Sequence, residues 1–223
     1  AADDAARREN MAVYEFLVPI VKGWSTEVSL EVTSLGVQVH GGMGFIEETG
    51  AAQYYRDARI LTIYEGTTAI QANDLVGRKT ARDGGAVARA LIAQVRDTES
   101  RLSARGGDDL AAIGARLSAG RAALEETVDF VVGAFRADVR AVFAGSVPYL
   151  KLAGVVLSGW QMARAALAAE AMLRAGEGDA QFLAAKIATA RFHADHILTQ
   201  ADAFRSAAVE GAAGVLAMPD TAF

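Results

Sequence analysis

Glu65 lies between an aromatic residue and a glycine, within the segment T-I-Y-E-G-T-T-A-I-Q. A carboxylate that removes a proton from carbon must be partly shielded from water, which raises its pKa, and it must point at the substrate. Ile63 and Tyr64 could supply an apolar wall, and Gly66 leaves room for a ligand to approach the backbone. The alternative is an acid that meets the N-terminal dipole of a helix capped by Thr67. Spacing alone favours this second interpretation.

Glycines cluster in another segment, Q-V-H-G-G-M-G, which starts at Gln38. Gly41 and Gly42 let a backbone approach a ligand closely, and free N–H groups near a helix end can bind phosphate. The same run also ends a helix. It does not follow a strand, so it lacks the strand–turn–helix context of a dinucleotide fingerprint. The pattern by itself favours a helix stop, and we interpret His40 as part of this loop.

Two histidines flank an acid near the C-terminus, with His193 and His196 on either side of Asp195. Their spacing places both imidazoles on one face of a predicted helix. A metal would need a third and a fourth ligand, and nothing in the spacing supplies them. A solvated or hydrogen-bonded helix face is the interpretation that we prefer, and we predict no metal site.

Composition narrows the class of protein. The 223 residues are 52% hydrophobic, which is enough for a sizeable core, and with a net charge of −5 nothing suggests a basic nucleic-acid surface. The absence of cysteine excludes disulfides and thiolate metal sites. The polar start A-A-D-D-A-A-R-R-E-N does not resemble a signal peptide. Lys151 interrupts the most apolar segment and Arg164 follows it, so we expect no membrane span and a cytoplasmic protein.

Apolar residues recur at helical spacing along most of the chain, which predicts an all-α protein built as a helical bundle. In the first two helices the aligned apolar residues include Tyr14, Val21, Val32 and Leu35. We expect Pro19 to kink or end the first helix and residue 25 or 26 to cap the second. We expect a loop or short turn between residues 41 and 65. The predicted helices cover residues 3–22, 26–40, 67–81, 86–103, 109–136, 146–174 and 179–210.

The segment Asp83-Gly84-Gly85 is the best candidate for a domain boundary. It divides the chain into a helical domain over residues 1–83 and an appended helical domain over residues 84–223.

Three segments taken together resemble the acyl-CoA dehydrogenase family. In chain order they are Q-V-H-G-G-M-G-F from Gln38, Y-R-D-A-R-I from Tyr55 and I-Y-E-G-T from Ile63. They are similar to signatures of the C-terminal helical domain of these flavoenzymes, and the resemblance is strong up to about Lys79. The remainder resembles the extra C-terminal helical domain of a longer subgroup, which includes enzymes acting on medium- to long-chain and on 3-methylmercaptopropionyl thioesters. The matching stretches are A-G-S-V-P-Y-L, G-W-Q-M-A-R-A-A-L and A-K-I-A-T-A-R-F-H-A-D-H.

The resemblance implies roles for the residues around the carboxylate. Glu65 occupies the position of the base that removes the α-proton of an acyl-CoA thioester, while the β-hydrogen leaves as hydride to FAD. Tyr64 and Gly66 are implied to bind the substrate, with Gly66 beside the thioester. Thr67 and Ala69 are implied to contact FAD. Ala69 stands where relatives commonly carry a longer polar side chain.

The resemblance also implies partners. Gln38, Gly41 and Gly42 would meet the adenine-diphosphate part of a FAD held largely by a neighbouring subunit, so a homo-oligomer is implied. The substrate would be an acyl-CoA of fatty acid β-oxidation, and the electron acceptor an electron-transfer flavoprotein or a similar protein.

Family members also carry an N-terminal helical domain and a middle β domain, which supply most of the flavin and thioester pocket. No strand-rich region is visible in this sequence, so we expect the isolated chain neither to retain FAD nor to turn over. The alternative is a non-catalytic helical association module derived from the same framework. The presence of Glu65 instead of a neutral residue argues against that alternative.

Overall fold

The computed structural model describes residues 2–222, which form helices and turns with no strand in that range. The all-α prediction is therefore confirmed. The α-helices are α1 (Ala2–His40), α2 (Gly42–Phe45), α3 (Ala51–Leu61), α4 (Thr68–Asp74), α5 (Ala86–Arg105), α6 (Asp108–Ala134), α7 (Val139–Ala144), α8 (Ser146–Ala175), α9 (Ala180–His196), α10 (Ala201–Val209) and α11 (Ala212–Leu216). A π-helix (Leu75–Ala81) follows α4, and short 3₁₀ turns cover Glu47–Thr49, Leu198–Gln200 and Asp220–Ala222.

Helix α1 runs without a break through Pro19, so the expected division into two helices is wrong. Phe16 and Ile20, on either side of the proline, are buried in the core and hold the helix in place across it. The Thr26 hydroxyl donates 2.7 Å to the carbonyl of Lys22, one turn earlier in the same helix. A hydroxyl bonded in this way supports the helix interior and does not cap a new helix.

Three other expectations about helices are corrected. Helices α2 and α3, with a 3₁₀ turn between them, fill most of the segment expected as a loop, and only Ala58 of α3 is buried. The helix expected over residues 179–210 is divided into α9 and α10 by a 3₁₀ turn that buries Leu198 against Gly159. Helices α7 and α11 were not predicted.

Helix α4 and the π-helix together cover the helix predicted from residue 67 to residue 81. The π-helix buries Leu75, Val76 and Thr80. The Thr80 hydroxyl and the Tyr149 hydroxyl are 2.9 Å apart and form a hydrogen bond inside the core. A π-helix carries i→i+5 bonds and is uncommon, and here the buried hydroxyl pair fixes it to α8.

Helix α8 lies at the centre of the molecule, where it packs against α1, α4, α5, α6, α9 and α10. It is the one helix of the described residues that is long and apolar enough to cross a membrane by length and composition. Of its apolar window, 67% is buried inside the protein, which fits a core helix. The core joins residues from both sides of the turn at Asp83, and the division into two domains stays a prediction.

One face of α1 remains open to solvent. Tyr14 and Val21, which we aligned on one face from the sequence, are both exposed. They belong to an apolar stripe with heptad-like spacing, which we call the α1 stripe: Met11, Tyr14, Val18, Val21, Val32, Leu35 and Val39. This spacing is typical of a helix face that packs on another helix.

Candidate functional site

Glu65 has a left-handed backbone. Its φ of 55° is the only positive φ outside glycine among the described residues, and Gly66 follows at 93°. The Gln71 side-chain amide donates 3.3 Å to the backbone carbonyl of Glu65. The Glu65 side chain is exposed, and its carboxylate forms no hydrogen bond or ion pair with any residue between 2 and 222. The carboxylate is thus presented on the surface without a structural partner.

The start of α4 is capped by Thr67. Its side-chain oxygen accepts a hydrogen bond from the backbone N–H of Ile70 at 3.4 Å, and its extended backbone is typical of an N-cap residue. Glu65 lies two residues before this cap. The cap predicted at Thr67 is therefore confirmed, and the interaction of Glu65 with the dipole of this helix stays a prediction.

The segment from residue 61 to residue 68, which we call the base segment, is attached to α1 at both ends. The Lys22 ammonium donates 2.6 Å to the carbonyl of Leu61, and it lies 5.5 Å from the centre of the Tyr64 ring. At the other end, the Thr68 hydroxyl donates 2.5 Å to the Glu27 carboxylate. No local sequence pattern predicts these contacts, because the partners lie 39 and 41 residues apart along the chain.

Apolar shielding of Glu65 is incomplete within this chain. Ile63 and Tyr64 are each 50% exposed, so they form only part of the wall expected from the sequence. Gly66 lies beside them, and Ala69 is exposed in the first turn of α4. The carboxylate thus lies beside the residues for which the resemblance implies contact with the substrate and with the near part of the flavin.

The glycine segment lies at the end of α1. Gly41 and Gly42 are exposed, and a Cβ added at either would meet nothing within 4 Å. Together with the exposed side chain of Gln38, this open backbone fits contact with a nucleotide, although the described residues do not enclose one. The prediction that His40 belongs to the loop is wrong. His40 is the last residue of α1, and its Nδ1 lies 2.8 Å from the Gly36 carbonyl.

The two groups of predicted residues are separated. Helix α3 runs back along α1, with Tyr54 near His40 at one end and Leu61 bound to Lys22 at the other. At 1.5 Å per residue, the 18 residues from Lys22 to His40 span about 27 Å. Glu65 and the glycine segment therefore do not share one pocket within this chain.

His193 is partly buried beside a cleft of about 580 Å³ between α1 and helices α8 to α10. Its Nε2 lies 3.2 Å from the Ser158 hydroxyl, which itself donates to the Val155 carbonyl at 3.0 Å. The hydroxyl therefore accepts from Nε2–H, and the buried Nδ1 has no partner among the described residues. Burial lowers the pKa of His193, so the ring favours its neutral form.

His196 packs against an aromatic ring. Its ring packs on Phe192, with ring centres 4.5 Å apart. Across residues 2–222 no group of three or more histidine, aspartate or glutamate side chains is arranged to hold a metal ion.

Comparison with known protein families finds two matching domain models. The one described as "Acyl-CoA dehydrogenase, C-terminal domain" matches residues 1–79. The one described as "Acetyl-CoA dehydrogenase C-terminal like" matches residues 91–219, which is more than half of the chain.

Curated proteins of similar sequence carry related names. The chain is 54% identical over 203 residues to the 3-methylmercaptopropionyl-CoA dehydrogenase of Ruegeria pomeroyi, covering 91% of this chain and 34% of that protein. It is 33% identical over 200 residues to the broad-specificity linear acyl-CoA dehydrogenase of Mycobacterium tuberculosis, covering 83% of this chain and 31% of that protein. A shorter match, 42% over 52 residues, is to subunit CarC of the caffeyl-CoA reductase-Etf complex of Acetobacterium woodii, covering 23% of this chain and 14% of that protein. The chain thus spans about a third of the length of the first two relatives.

Proposed function

Because the chain belongs to the acyl-CoA dehydrogenase family, as a C-terminal portion of such an enzyme, we propose that Glu65 is its catalytic base. In the intact enzyme, the Glu65 carboxylate takes the α-proton of an acyl-CoA thioester as the α,β double bond forms. The observation that carries this proposal is a carboxylate in the family's motif with no structural partner among the described residues, on a segment attached at both ends. A base must be free to meet its substrate and must be held in place while it does so.

The neighbouring residues fit the substrate role. Gly66 exposes backbone beside the carboxylate, and a Cβ added there would lie 2.6 Å from the Gln71 amide nitrogen. A side chain at this position would thus displace the amide that holds the Glu65 carbonyl. Tyr64 is half exposed and offers a ring face to an acyl chain. Shielding of the carboxylate is left to the bound thioester and to the rest of the enzyme.

The family implies FAD, which when bound accepts the hydride that leaves the β-carbon. Thr67 accepts from the Ile70 N–H and so keeps its own hydroxyl proton to donate to the flavin. Ala69 has no polar side chain and offers the flavin only apolar contact. Gln38 and the open glycines at 41 and 42 are assigned to the adenine-diphosphate part.

The separation of about 27 Å along α1 supports a homo-oligomer. The residues around Glu65 would then contact one FAD and the glycine segment another. Each FAD-binding site would be completed by a neighbouring subunit. The exposure of both groups in this chain agrees with the proposal that the chain alone neither retains FAD nor turns over.

The names of the relatives guide the choice of substrate and electron acceptor. We take 3-methylmercaptopropionyl-CoA as the first candidate substrate, since the relative with that name is 54% identical over most of this chain. A linear acyl-CoA is the second candidate. An electron-transfer flavoprotein is the proposed acceptor, which the match to a subunit of an Etf complex supports.

Replacement of the carboxylate in the intact enzyme tests the role of Glu65. We expect Glu65→Gln to keep the flavin but to slow its anaerobic reduction by acyl-CoA by about 100- to 10,000-fold, because the amide cannot accept the α-proton. The measurements are the flavin spectrum and the rate of its bleaching with each candidate thioester. Glu48→Gln, an exposed acid in the 3₁₀ turn before α3, is the matched control and should reduce normally. Near-normal reduction in Glu65→Gln would refute the assignment.

A further inference from the structure

We propose that Lys22 and Glu27, both on α1, are positioning residues for Glu65. They hold the base segment at its two ends and so keep the carboxylate in the orientation that proton abstraction requires. This inference rests on the proposed role of Glu65.

Lys22 holds the first end. Leu61 is the last residue of α3, and a carbonyl at a helix C-terminus lacks a partner within its own helix. The Lys22 ammonium supplies that partner at 2.6 Å, and its positive charge also suits the negative end of the helix dipole. No carboxylate pairs with Lys22 within residues 2–222, so the Leu61 carbonyl and the Tyr64 ring are its partners there.

Glu27 holds the second end. Its carboxylate accepts the hydroxyl proton of Thr68, the first residue of α4, at 2.5 Å. A hydrogen bond from a hydroxyl to a charged acceptor is short and strong. Lys22 and Glu27 are five residues apart on one continuous helix, so their attachment points are about 7.5 Å apart along its axis.

The base segment needs this attachment most around Glu65, because local contacts hold it only as far as Tyr64. Thr62 is buried and bonded to Arg59, and the N–H groups of Ile63 and Tyr64 donate to the Ile60 carbonyl. Glu65 adopts a left-handed backbone, which costs free energy for a residue with a Cβ and persists only where the surroundings impose it. The single Gln71 contact to the Glu65 carbonyl is long, at 3.3 Å. Loss of either end would let the turn relax and move the carboxylate.

The test uses Lys22→Met and Thr68→Val in the intact enzyme, each of which removes one attachment without changing the Glu65 side chain itself. A displacement of about 1 Å can cost about 100-fold in rate, so we expect flavin reduction per bound flavin to fall by about 10- to 100-fold. KM should change little. With α-deuterated substrate the isotope effect on flavin reduction should persist or grow, because proton abstraction is the step that slows.

Four further variants separate positioning from general stability. Thr68→Ser keeps the hydroxyl and should restore the rate. Glu27→Ala alone and the double variant Glu27→Ala/Thr68→Val complete the set; the double variant should be no slower than the slower of Glu27→Ala and Thr68→Val, because both changes remove the same hydrogen bond. Lys79→Met is the matched control: it removes a 3.1 Å ion pair to Glu15 of α1, outside the base segment, and should leave the rate unchanged.

The outcomes distinguish this inference from the proposed function. If Glu65→Gln reduces flavin normally, the proposed function fails and the positioning role fails with it. If Glu65→Gln is inactive but Lys22→Met and Thr68→Val reduce flavin at the wild-type rate, only the positioning role is refuted. Lower flavin content with an unchanged rate per bound flavin would likewise refute it, because it would show a structural role alone.

Discussion

Glu65 and His193 occupy opposite environments. The carboxylate is exposed and has no partner within residues 2–222, on a segment held by α1, whereas the imidazole is partly buried and bonded to Ser158. A carboxylate that is free of structural partners is available for chemistry, but it depends on other parts of the enzyme for shielding. A buried imidazole with an unpartnered nitrogen is instead sensitive to protonation.

His193 should make the folded state sensitive to acid. Because burial lowers its pKa, the unfolded chain binds the proton more readily once the pH falls below the ordinary value of 6.5. The contribution of His193 to the free energy of unfolding therefore has its full value above pH 6.5. It declines as the pH falls through the lower pKa of the folded state. We expect His193→Gln, which can still donate to Ser158, to lose less thermal stability than the wild type between pH 7.5 and 5.5.

Thermal unfolding across that pH range is the measurement, with His196→Gln as the exposed control. The variant at residue 196 should follow the wild type. Identical pH dependence in His193→Gln and the wild type would contradict the prediction.

At the scale of elements, α1 and α8 approach closely because glycines face large side chains. A Cβ at Gly23 of α1 would lie 2.6 Å from Leu150, and a Cβ at Gly154 of α8 would lie 2.2 Å from the Trp24 ring. Each glycine therefore receives a side chain from the opposite helix. This contact joins the helix that carries Lys22 to the centre of the core.

Gly154→Ala should destabilise the protein by about 1–3 kcal/mol, because the added methyl overlaps a packed indole ring. The free energy of unfolding in urea is the measurement. Gly36→Ala in α1 is the control, since a Cβ there meets nothing within 4 Å, and it should stabilise the helix by up to about 1 kcal/mol. If the two substitutions change the free energy of unfolding equally, then helix propensity, and not packing, determines the effect of replacing Gly154.

At the scale of the whole molecule, apolar exposure is concentrated on the part that carries the candidate site. The α1 stripe is exposed along most of the helix, with Val32 at 58% and Leu35 at 56%. Contiguous apolar surface of this kind marks an interaction site. This agrees with a chain that spans only about a third of its relatives.

The 223-residue chain should therefore self-associate in isolation. We expect Val32→Glu to weaken this association, because a charge in the middle of the stripe opposes its burial, and to leave the melting temperature nearly unchanged. Sedimentation over a dilution series is the measurement. Val139→Glu, at an exposed position in α7, is the matched control and should associate like the wild type. A wild-type chain that stays monomeric throughout would contradict the prediction.

The sequence by itself determined the all-α class, the family and the helices α5, α6 and α8, because long apolar periods and compact motifs are local signals. It also located Glu65 and the cap at Thr67, which the structure confirms.

Only the tertiary structure decided that α1 continues through Pro19 and that α9 ends at His196. These two outcomes depend on burial against distant residues. The same reason applies to Lys22 and Glu27. Their contacts to the base segment join residues about 40 positions apart, and a distance of that kind is set by helix packing and not by any local pattern.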